Sequence, residues 1–469
     1  MLLQTCIQTG TWPKLWKHAQ IVPVHKKRSK SDPKNYRPIS LLSVLSKTFE
    51  KIVADQLTKF LDRHYLLSSR QFRFRKGRST SDLLLGLSQS WNEALDAGQP
   101  TLVIALDIAG AFDCVWHQGL LAKFEALGIA GDLLELFRDY LSDRTLSVVV
   151  NGQTSAKHTI GASVPQGSVL GPILWNIFLN DLLQGLPSSY AYADDSTLTH
   201  TFSRGDAQQV ITTINQQLEY IASWGSKWQV KFAAEKTQAM VISRSSDDIN
   251  TFQGRLKLGN DTIELSNSLE ILGVQFDSKL TFEEHIKETA HKASLKVTAL
   301  RRLKHLLDAQ GMMTLYKAQV RPHLEYAPLT TVSCPRSHLL LMDKVQRRAT
   351  RLITSTCQRG ETSGTLDSLD HRRNVAALTV LHKAQVQHVP HLESLRLPWR
   401  QSSRSTRSVL SSDCQLEIPR SFTSLHQRTF TSTTSRLWNS MTTTVNVWSL
   451  TTHQMKLEAN TWCKRNNAP

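Results

Sequence analysis

The stretch Tyr192-Ala193-Asp194-Asp195 places two neighbouring carboxylates between two short segments of alternating polarity. Apolar and polar residues alternate in Ser189-Tyr190-Ala191 before it and in residues 196–200 after it. This pattern predicts two strands joined by a tight turn, with both aspartates at the exposed tip. Like charges this close repel each other, so the pair favours a bound cation such as Mg²⁺, which prefers carboxylate oxygens. An Asp-Asp turn taken alone is more often simply solvated.

A second acidic position, Asp107, follows the aliphatic run Thr101–Leu106. The run predicts a buried central strand, and a charge at the end of such a strand is unfavourable unless it has a partner. A single aspartate there would by default cap the next turn or helix. Considered with Asp194 and Asp195, it favours a two-metal phosphoryl-transfer site, in which ions about 3.5–4 Å apart hold the attacking and leaving oxygens.

Composition limits the class of protein. The chain has 469 residues, of which 40% are hydrophobic, so it can build a substantial core. Its formal net charge of +17 favours a polyanionic partner. No apolar run reaches the ~18 residues of a membrane span, and the first residues lack the apolar segment of a signal peptide. Six scattered cysteines are typical of reduced thiols, so we expect an intracellular protein without a membrane partner.

Periodicity predicts the other elements, and the sequence shows no internal repeat. Apolar residues at helical spacing predict helices at about 49–61, from about 81, at 117–127, at 132–141 and at 210–228. Gly128 is expected to stop one of them, and Asn151-Gly152 to turn a hairpin. Residues from about 285 to 386 read as helical almost throughout. The Ser-, Thr- and Arg-rich residues 387–469 are expected to be loosely ordered, with short packed pieces around Trp438 and Trp448.

Several motifs occur in a fixed order along the chain. They are Asn35-Tyr36-Arg37-Pro38-Ile39-Ser40, Phe74-Arg75-Lys76-Gly77-Arg78-Ser79-Thr80, Leu106-Asp107 with Ala111-Phe112-Asp113, Pro165-Gln166-Gly167-Ser168, Tyr192-Ala193-Asp194-Asp195, Lys236-Thr237, Leu272-Gly273-Val274-Gln275-Phe276-Asp277 and Leu315-Tyr316-Lys317-Ala318. Together they resemble the reverse transcriptase of a non-LTR (LINE-type, jockey-like) retrotransposon. The resemblance implies an α+β right-hand polymerase, with fingers at 1–100, a palm of antiparallel sheet backed by helices at 101–280, a helical thumb at 281–386 and a basic tail at 387–469.

The resemblance also implies roles for individual residues. The metal ligands would be Asp107, Asp194, Asp195 and the backbone carbonyl of Ile108, holding two Mg²⁺ ions for which Mn²⁺ could substitute. The catalytic residues would be Asp107, Asp194, Asp195 and Lys236, the last protonating the pyrophosphate leaving group. The nucleotide-binding residues would be Lys26, Lys27, Arg37, Ile108, Phe112, Gln166 and Gly167. Phe112 would exclude a ribose 2′-hydroxyl, although a phenylalanine there could instead be an ordinary core residue.

The implied partners are an RNA template, a DNA primer and dNTPs. In the thumb, basic residues at helical spacing would face the phosphates of the duplex, or would form a plain solvated face; they are Lys344, Arg347, Arg348 and Arg351. The protein would act as a ribonucleoprotein in the cytoplasm and nucleus. It would be a fragment of a longer polyprotein whose upstream endonuclease is missing. The oligomeric state does not follow from these residues.

Three positions depart from the family pattern. Arg73 and Ala233 stand where glycine and asparagine are usual, and Gly110 stands where lysine is frequent. A catalytically inactive remnant that only binds nucleic acid is therefore the alternative function, against which the three aspartates argue. An RNA-dependent RNA polymerase would carry glycine at Ala193 and a polar residue at Phe112. A group II intron maturase fits less well at 272–277 and 315–318.

Overall fold

The chain combines helices with two main sheets. The computed structural model describes residues 2–26, 29–356, 366–400 and 414–466. In these ranges the α-helices are α1 Leu2–Gln8, α2 Val44–Arg63, α3 Thr80–Asp96, α4 His117–Ala126, α5 Gly131–Leu141, α6 Gly171–Gly185, α7 Ala207–Trp228, α8 Ser246–Asn250, α9 Glu283–Arg302, α10 Ala309–Leu315, α11 Arg321–Leu324, α12 Arg336–Thr354, α13 Leu369–Gln385, α14 Phe430–Met441 and α15 Thr452–Asn466. The strands are β1 His18–His25, β2 Tyr36–Leu41, β3 Thr101–Leu106, β4 Thr145–Val150, β5 Gln153–Thr154, β6 His158–Thr159, β7 Ser189–Tyr192, β8 Asp195–Thr201, β9 Gln238–Ile242, β10 Lys257–Leu258, β11 Asp261–Thr262, β12 Ser268–Ile271 and β13 Val274–Asp277.

The central sheet is antiparallel, with strand order β7-β8-β3-β9. β3 lies between two partners, and its side chains alternate between two cores. Leu102 and Ile104 join the core that includes α6 and α7, whereas Val103 joins the one that includes α3 and α9. Burial on both faces accounts for an aliphatic run without alternation. The predicted central strand is confirmed, and Asp107 follows it directly.

A second sheet joins distant parts of the chain. β1 pairs antiparallel with β2 and parallel with β4, and β4 also pairs with β5 and β6. The β4–β5 turn at Asn151-Gly152 has positive φ values of 49° and 79°, which confirms the predicted hairpin. Since β4 follows the start of the range predicted as palm, this sheet crosses the predicted boundary at residue 100.

The predicted helices are present. Gly128 follows α4 with a φ of +79°, the left-handed conformation that ends many helices, so the predicted stop is confirmed. Beyond the β12–β13 hairpin, α9 and α12 pack closely through buried residues such as Val297 and Val345. The expected run of helices between 285 and 386 is therefore found, with one π-helical turn at Tyr316–Val320.

The expectation of a loosely ordered tail is wrong for residues 414–466. α14 and α15 enclose a third core in which Trp438 is fully buried. α14 also buries small polar side chains, and its Thr431 accepts a hydrogen bond from Gln89 Nε2 at 2.7 Å. The buried residues between Phe430 and Trp438 are threonines and serines, so the apolar stripe is interrupted and periodicity missed the helix. Trp448 stays half-exposed and contacts Trp399, and residues 401–413 lie outside the described ranges.

The tail holds α3 at both of its ends. At the first turn, His391 lies 3.5 Å from Asp82, the residue that completes a capping box with Ser79. At the last turn, Asp96 accepts hydrogen bonds from the Phe422 amide at 2.9 Å and from a threonine hydroxyl. Burial would raise the pKa of Asp96, but these hydrogen bonds outweigh it and lower the pKa. The C-terminal region is thus bound to the helix that packs under β3.

Cys6, Cys114, Cys334 and Cys463 are free thiols. Within the described ranges, none of the helices combines the length and the apolar character needed to cross a bilayer.

Candidate active site

A cavity of about 1060 Å³ lies between the two sheets and contains most of the predicted site residues. Its acidic lining comes from the end of β3 and from the β7–β8 turn. Its basic lining comes from the β1–β2 region and from the segment before β9. The predicted site residues that line it are Lys26, Arg37, Asp107, Ile108, Phe112, Gln166, Asp194, Asp195 and Lys236. Lys27 lies outside the described residues.

Asp107 is held at the end of β3 by the segment that precedes β9. Its carbonyl accepts a hydrogen bond from the Ala233 amide at 2.9 Å, and its amide donates to the Thr237 hydroxyl at 3.5 Å. The side chain is 39% exposed, and its Oδ2 lies 3.3 Å from Lys236 Nζ. Ala233, one of the departures from the family pattern, therefore contributes through its backbone. Lys236 is an ammonium placed directly beside the first carboxylate.

The β7–β8 turn is built as predicted. Tyr192 pairs with Asp195, and Ala193 between them has a φ of +63°. The buried Trp175 indole donates to the Ala193 carbonyl at 2.9 Å, which fixes this strained residue. Asp194 and Asp195 both reach the cavity surface. The predicted hairpin tip with two accessible carboxylates is confirmed.

Negative charge is crowded at this turn. Burial by the surrounding protein, followed by the charges of Asp194 and Asp107, raises the pKa of Asp195 to about 6, although Arg73 partly opposes the rise. One pKa unit corresponds to about 1.4 kcal/mol of differential interaction. The arrangement therefore strains the ionised form, and a cation in the cavity would relieve that strain.

The three carboxylates suit a hard divalent cation in their chemistry and in their shared cavity. Among the described residues, however, no three His, Cys, Asp or Glu side chains are grouped closely enough to hold an ion as they stand. Lys236 occupies one oxygen of Asp107 instead. Asp107, Asp194 and Asp195 would hold the metal after this ion pair opens and their side chains turn toward one another.

The loop at 164–171 brings Gln166 to the cavity. The Ser40 amide donates to the Gln166 carbonyl at 2.7 Å, and Gln166 Nε2 donates to Asp113 Oδ1 at 3.0 Å. Gly167 does not line the cavity but lies against β2, with a φ of +124°. A Cβ on Gly167 would lie 2.7 Å from the Ser40 carbonyl oxygen, so only glycine fits.

The same loop rests on a buried glutamate that the sequence analysis did not select. Glu50 of α2 is fully buried, and its Oε2 accepts hydrogen bonds from the Val169 and Leu170 amides at 2.6 and 3.1 Å. Burial raises the pKa of Glu50 above its ordinary value, and these amides and the buried Arg144 oppose the rise only in part. A helix-face pattern does not reveal such a residue, because charged residues on helices are usually exposed.

Phe112 belongs to a row of aromatic rings along one wall. Its ring stacks on Trp175 at 6.0 Å between centroids and meets the edge of Phe74 at 6.1 Å. It is half-buried, lines the cavity and touches the first core. Because Trp175 also holds the Ala193 carbonyl, the wall and the acidic turn share one support.

Arg73 and Asp113 also line the cavity, although neither was selected as a site residue. Left-handed backbone falls on Phe74 and Gly77 rather than on Arg73, so the backbone at Arg73 does not require glycine. The guanidinium of Arg73 lies over the rings of Phe74 and Tyr192. The only feature of the sequence that could have drawn attention to Arg73 was a charged residue where the family pattern has glycine. Burial raises the pKa of Asp113.

The basic residues of α12 lie apart from this cavity. Lys344, Arg347, Arg348 and Arg351 are exposed, while Val345 and its neighbours on the opposite face are buried. Arg348 donates to Ser294 on α9 at 2.8 Å. The other three make no ion pair within the described ranges, so they are available to an external anion.

A carboxylate at the end of a central antiparallel strand, facing an acidic pair on the adjacent hairpin, is the arrangement expected of a two-metal polymerase palm. The family comparison agrees with this class. Residues 24–276, more than half of the chain, match the family described as reverse transcriptase (RNA-dependent DNA polymerase). The chain belongs to that family, whose members generally use divalent metal ions.

Similar proteins show which reverse transcriptases this chain resembles. The chain is 29% identical over 372 residues to a probable RNA-directed DNA polymerase from transposon BS of Drosophila melanogaster, covering 76% of this chain and 40% of the relative. It is 29% identical over 370 residues to the RNA-directed DNA polymerase from mobile element jockey of the same species, covering 76% and 39%. The predicted resemblance to jockey-like elements is confirmed, and the chain spans about two fifths of these relatives.

Solved structures give a more distant match. Apo telomerase from Candida tropicalis aligns with a TM-score of 0.42 at 12% identity, covering 81% of this chain and 64% of that one. Telomerase from Candida albicans, solved with a fragment of telomeric RNA, aligns with a TM-score of 0.41 at 12% identity, covering 76% and 66%.

Proposed function

We propose that this chain is the RNA-directed DNA polymerase of a non-LTR retrotransposon. It extends a DNA primer with dNTPs in the order that an RNA template specifies. The observation that carries the proposal is one cavity in which Asp107, Asp194 and Asp195 lie across from basic residues of the β1–β2 sheet. Such a cavity accommodates a negatively charged triphosphate and the metal that accompanies it. Membership of the reverse transcriptase family supports the same reaction.

The basic wall would bind the triphosphate. Arg37 stands on β2 opposite Val24, and Lys26 follows the end of β1, so the sheet holds both cations at one edge. A planar guanidinium binds phosphate oxygens in a bidentate manner, and the ammonium adds a point charge. Gln166, fixed by Ser40 and Asp113, would pack on the nucleotide.

The acidic wall would hold two Mg²⁺ ions through Asp107, Asp194 and Asp195, with the carbonyl of Ile108 as a further ligand. Bound divalent ions supply charge neutralisation at the transferred phosphoryl group and lower the pKa of the attacking hydroxyl. Lys236 Nζ, a proton donor, lies 3.3 Å from Asp107 Oδ2. We propose that it passes this proton to the pyrophosphate leaving group.

The test is primer extension on poly(rA)/oligo(dT) by purified protein, with Mg²⁺, with Mn²⁺ and with neither. We expect extension that depends on the metal and that Asp194→Ala abolishes. Asp261→Ala is the matched control, because Asp261 is exposed on β11 and does not line the cavity. Comparable kcat values for wild type and Asp194→Ala would refute the metal assignment.

The inactive-remnant alternative predicts another outcome in the same assay. Such a protein would bind the RNA/DNA duplex and fail to extend it with either metal. The ion pair between Lys236 and Asp107 is the observation that favours this alternative, because it occupies a metal-ligand oxygen. For either function we propose a ribonucleoprotein in the cytoplasm and nucleus, which immunofluorescence with RNA co-precipitation would test.

A further inference from the structure

Arg73 has an unusual environment for an arginine on a cavity wall. Its guanidinium carbon lies 4.9 Å from the ring centroid of Phe74 and 5.2 Å from that of Tyr192. Contact with aromatic faces holds a guanidinium by its flat sides and leaves its N–H edge directed outward. Within the described ranges, its side chain makes no hydrogen bond and no ion pair. Its five N–H donors are therefore available to a ligand.

The backbone that carries Arg73 is fixed from two directions. The Phe72 amide donates to the Ala191 carbonyl at 2.9 Å, which ties the segment to β7 just before the acidic turn. The buried Asn176 of α6 donates its Nδ2 to the Arg73 carbonyl at 3.0 Å. The guanidinium is therefore presented by the rigid sheet and by α6 rather than by a free loop.

The charge of Arg73 is placed for an anion inside the cavity. Arg73 and Asp195 line the same cavity, yet their side chains form no ion pair with each other. Phe74, on which it stacks, meets the edge of Phe112, the proposed sugar gate. Arg73 thus lies between Tyr192, which precedes the acidic turn, and the Phe74–Phe112 pair.

We propose that Arg73 is a phosphate-binding residue of the active site, in addition to the basic residues of β1 and β2. This inference rests on the proposed polymerase function and names one more contact for its substrate. The phosphate could belong to the incoming nucleotide or to the primer terminus, because both approach the acidic turn. A planar fork suits either one, since both present paired oxygens.

The test compares Arg73→Gln and Arg73→Lys with wild type in two measurements. One is the KM for dTTP in single-nucleotide incorporation on poly(rA)/oligo(dT). The other is the Kd for the duplex without nucleotide, measured by fluorescence anisotropy. The Gln variant should raise one of these constants roughly ten- to hundredfold, the effect of losing a charge-assisted hydrogen bond. A raised KM alone identifies the nucleotide as the source, and a raised Kd alone identifies the primer.

Arg244→Gln is the matched control, because Arg244 is exposed beyond β9 and does not line the cavity. A folded Arg73→Gln variant with both constants within twofold of wild type would overturn the proposal and leave Arg73 as a packing residue. If that variant does not fold, Arg73→Lys decides: it keeps the charge without the fork, and an unchanged KM and Kd would overturn the proposal.

Failure of the polymerase function would be visible separately. If the wild type does not extend primers, equilibrium binding of dTTP and of duplex replaces the kinetic measurement. Weaker binding of either ligand by Arg73→Gln would still support the phosphate contact. A wild type that binds neither ligand would overturn both proposals.

Discussion

Removing the carboxylate of Glu50 should destabilise the loop at 164–171, which brings Gln166 to the cavity. In Glu50→Ala, the Val169 and Leu170 amides lose their only acceptor in a buried site, which costs about 1–3 kcal/mol for each. The buried Arg144 also loses its electrostatic interaction with the Glu50 carboxylate. We therefore expect the free energy of unfolding to fall by about 3–6 kcal/mol.

Two variants separate this effect from a general loss of packing. Glu50→Gln keeps an acceptor for both amides and loses only the charge, so we expect it to lose about 1–2 kcal/mol. Glu264→Ala is the control, since Glu264 is exposed before β12. Urea unfolding followed by tryptophan fluorescence gives the free energies. The KM for dTTP should rise in Glu50→Ala more than the duplex Kd, because the loop carries Gln166.

Two results would refute this reasoning. One is a Glu50→Ala variant within about 1 kcal/mol of wild type. The other is a Glu50→Gln variant as unstable as the alanine variant, since the orphaned amides would then not be the cause.

Three further predictions concern the cavity and the thumb. The pKa of Asp195, about 6, lies above its usual ~3.9, so the folded state disfavours the ionised carboxylate. The free energy of unfolding should therefore fall as pH rises through this interval, and Mg²⁺ should restore it. Urea unfolding at several pH values, with and without Mg²⁺, checks this prediction. Phe112→Val should raise ribonucleotide incorporation while dNTP kcat/KM stays within about tenfold. Reversing Arg347 and Arg351 to Glu should weaken duplex binding and flatten its salt dependence, measured by anisotropy at several salt concentrations.

Each of these predictions has a contradicting outcome. Asp195→Asn should remove the fall in stability with pH, and an unchanged pH dependence of the unfolding free energy would assign it to another group. A Phe112→Val variant that is unstable but still rejects ribonucleotides would make Phe112 a core residue only. For the thumb, reversing Lys292 on α9, which is paired with Glu288, is the control. An equal loss in that control would leave the α12 face without a specific role.

The sequence predicted well whatever depends on local pattern. β3 and the β7–β8 hairpin follow from runs and alternation over a few residues, and Gly128 ends α4 through its own φ. The residues assembled around the cavity were found through the order of motifs. No spacing rule could have brought Asp107 and Asp194 together, because that depends on the pairing of β3 with β8.

Contacts between distant segments with no signature in either partner could not be predicted. Arg73 meets Tyr192 because the segment before α3 lies along β7, and an arginine where the family has glycine does not by itself indicate what it contacts. The ion pair between Lys236 and Asp107 depends equally on three-dimensional placement. α14 packs through hydroxyls, which composition assigns to solvent.

The attachment of the C-terminal region to both ends of α3 sets the limits of the folding unit. The family match stops at residue 276, yet Ser88 donates to the Thr330 carbonyl and Gln89 to Thr431, both beyond that point. A fragment cut to the matched region would expose this face of α3 directly behind the catalytic strand. A fragment ending at residue 276 should therefore be insoluble or misfolded, and insertions in α14 or α15 should destabilise the fold although both helices lie outside the matched region.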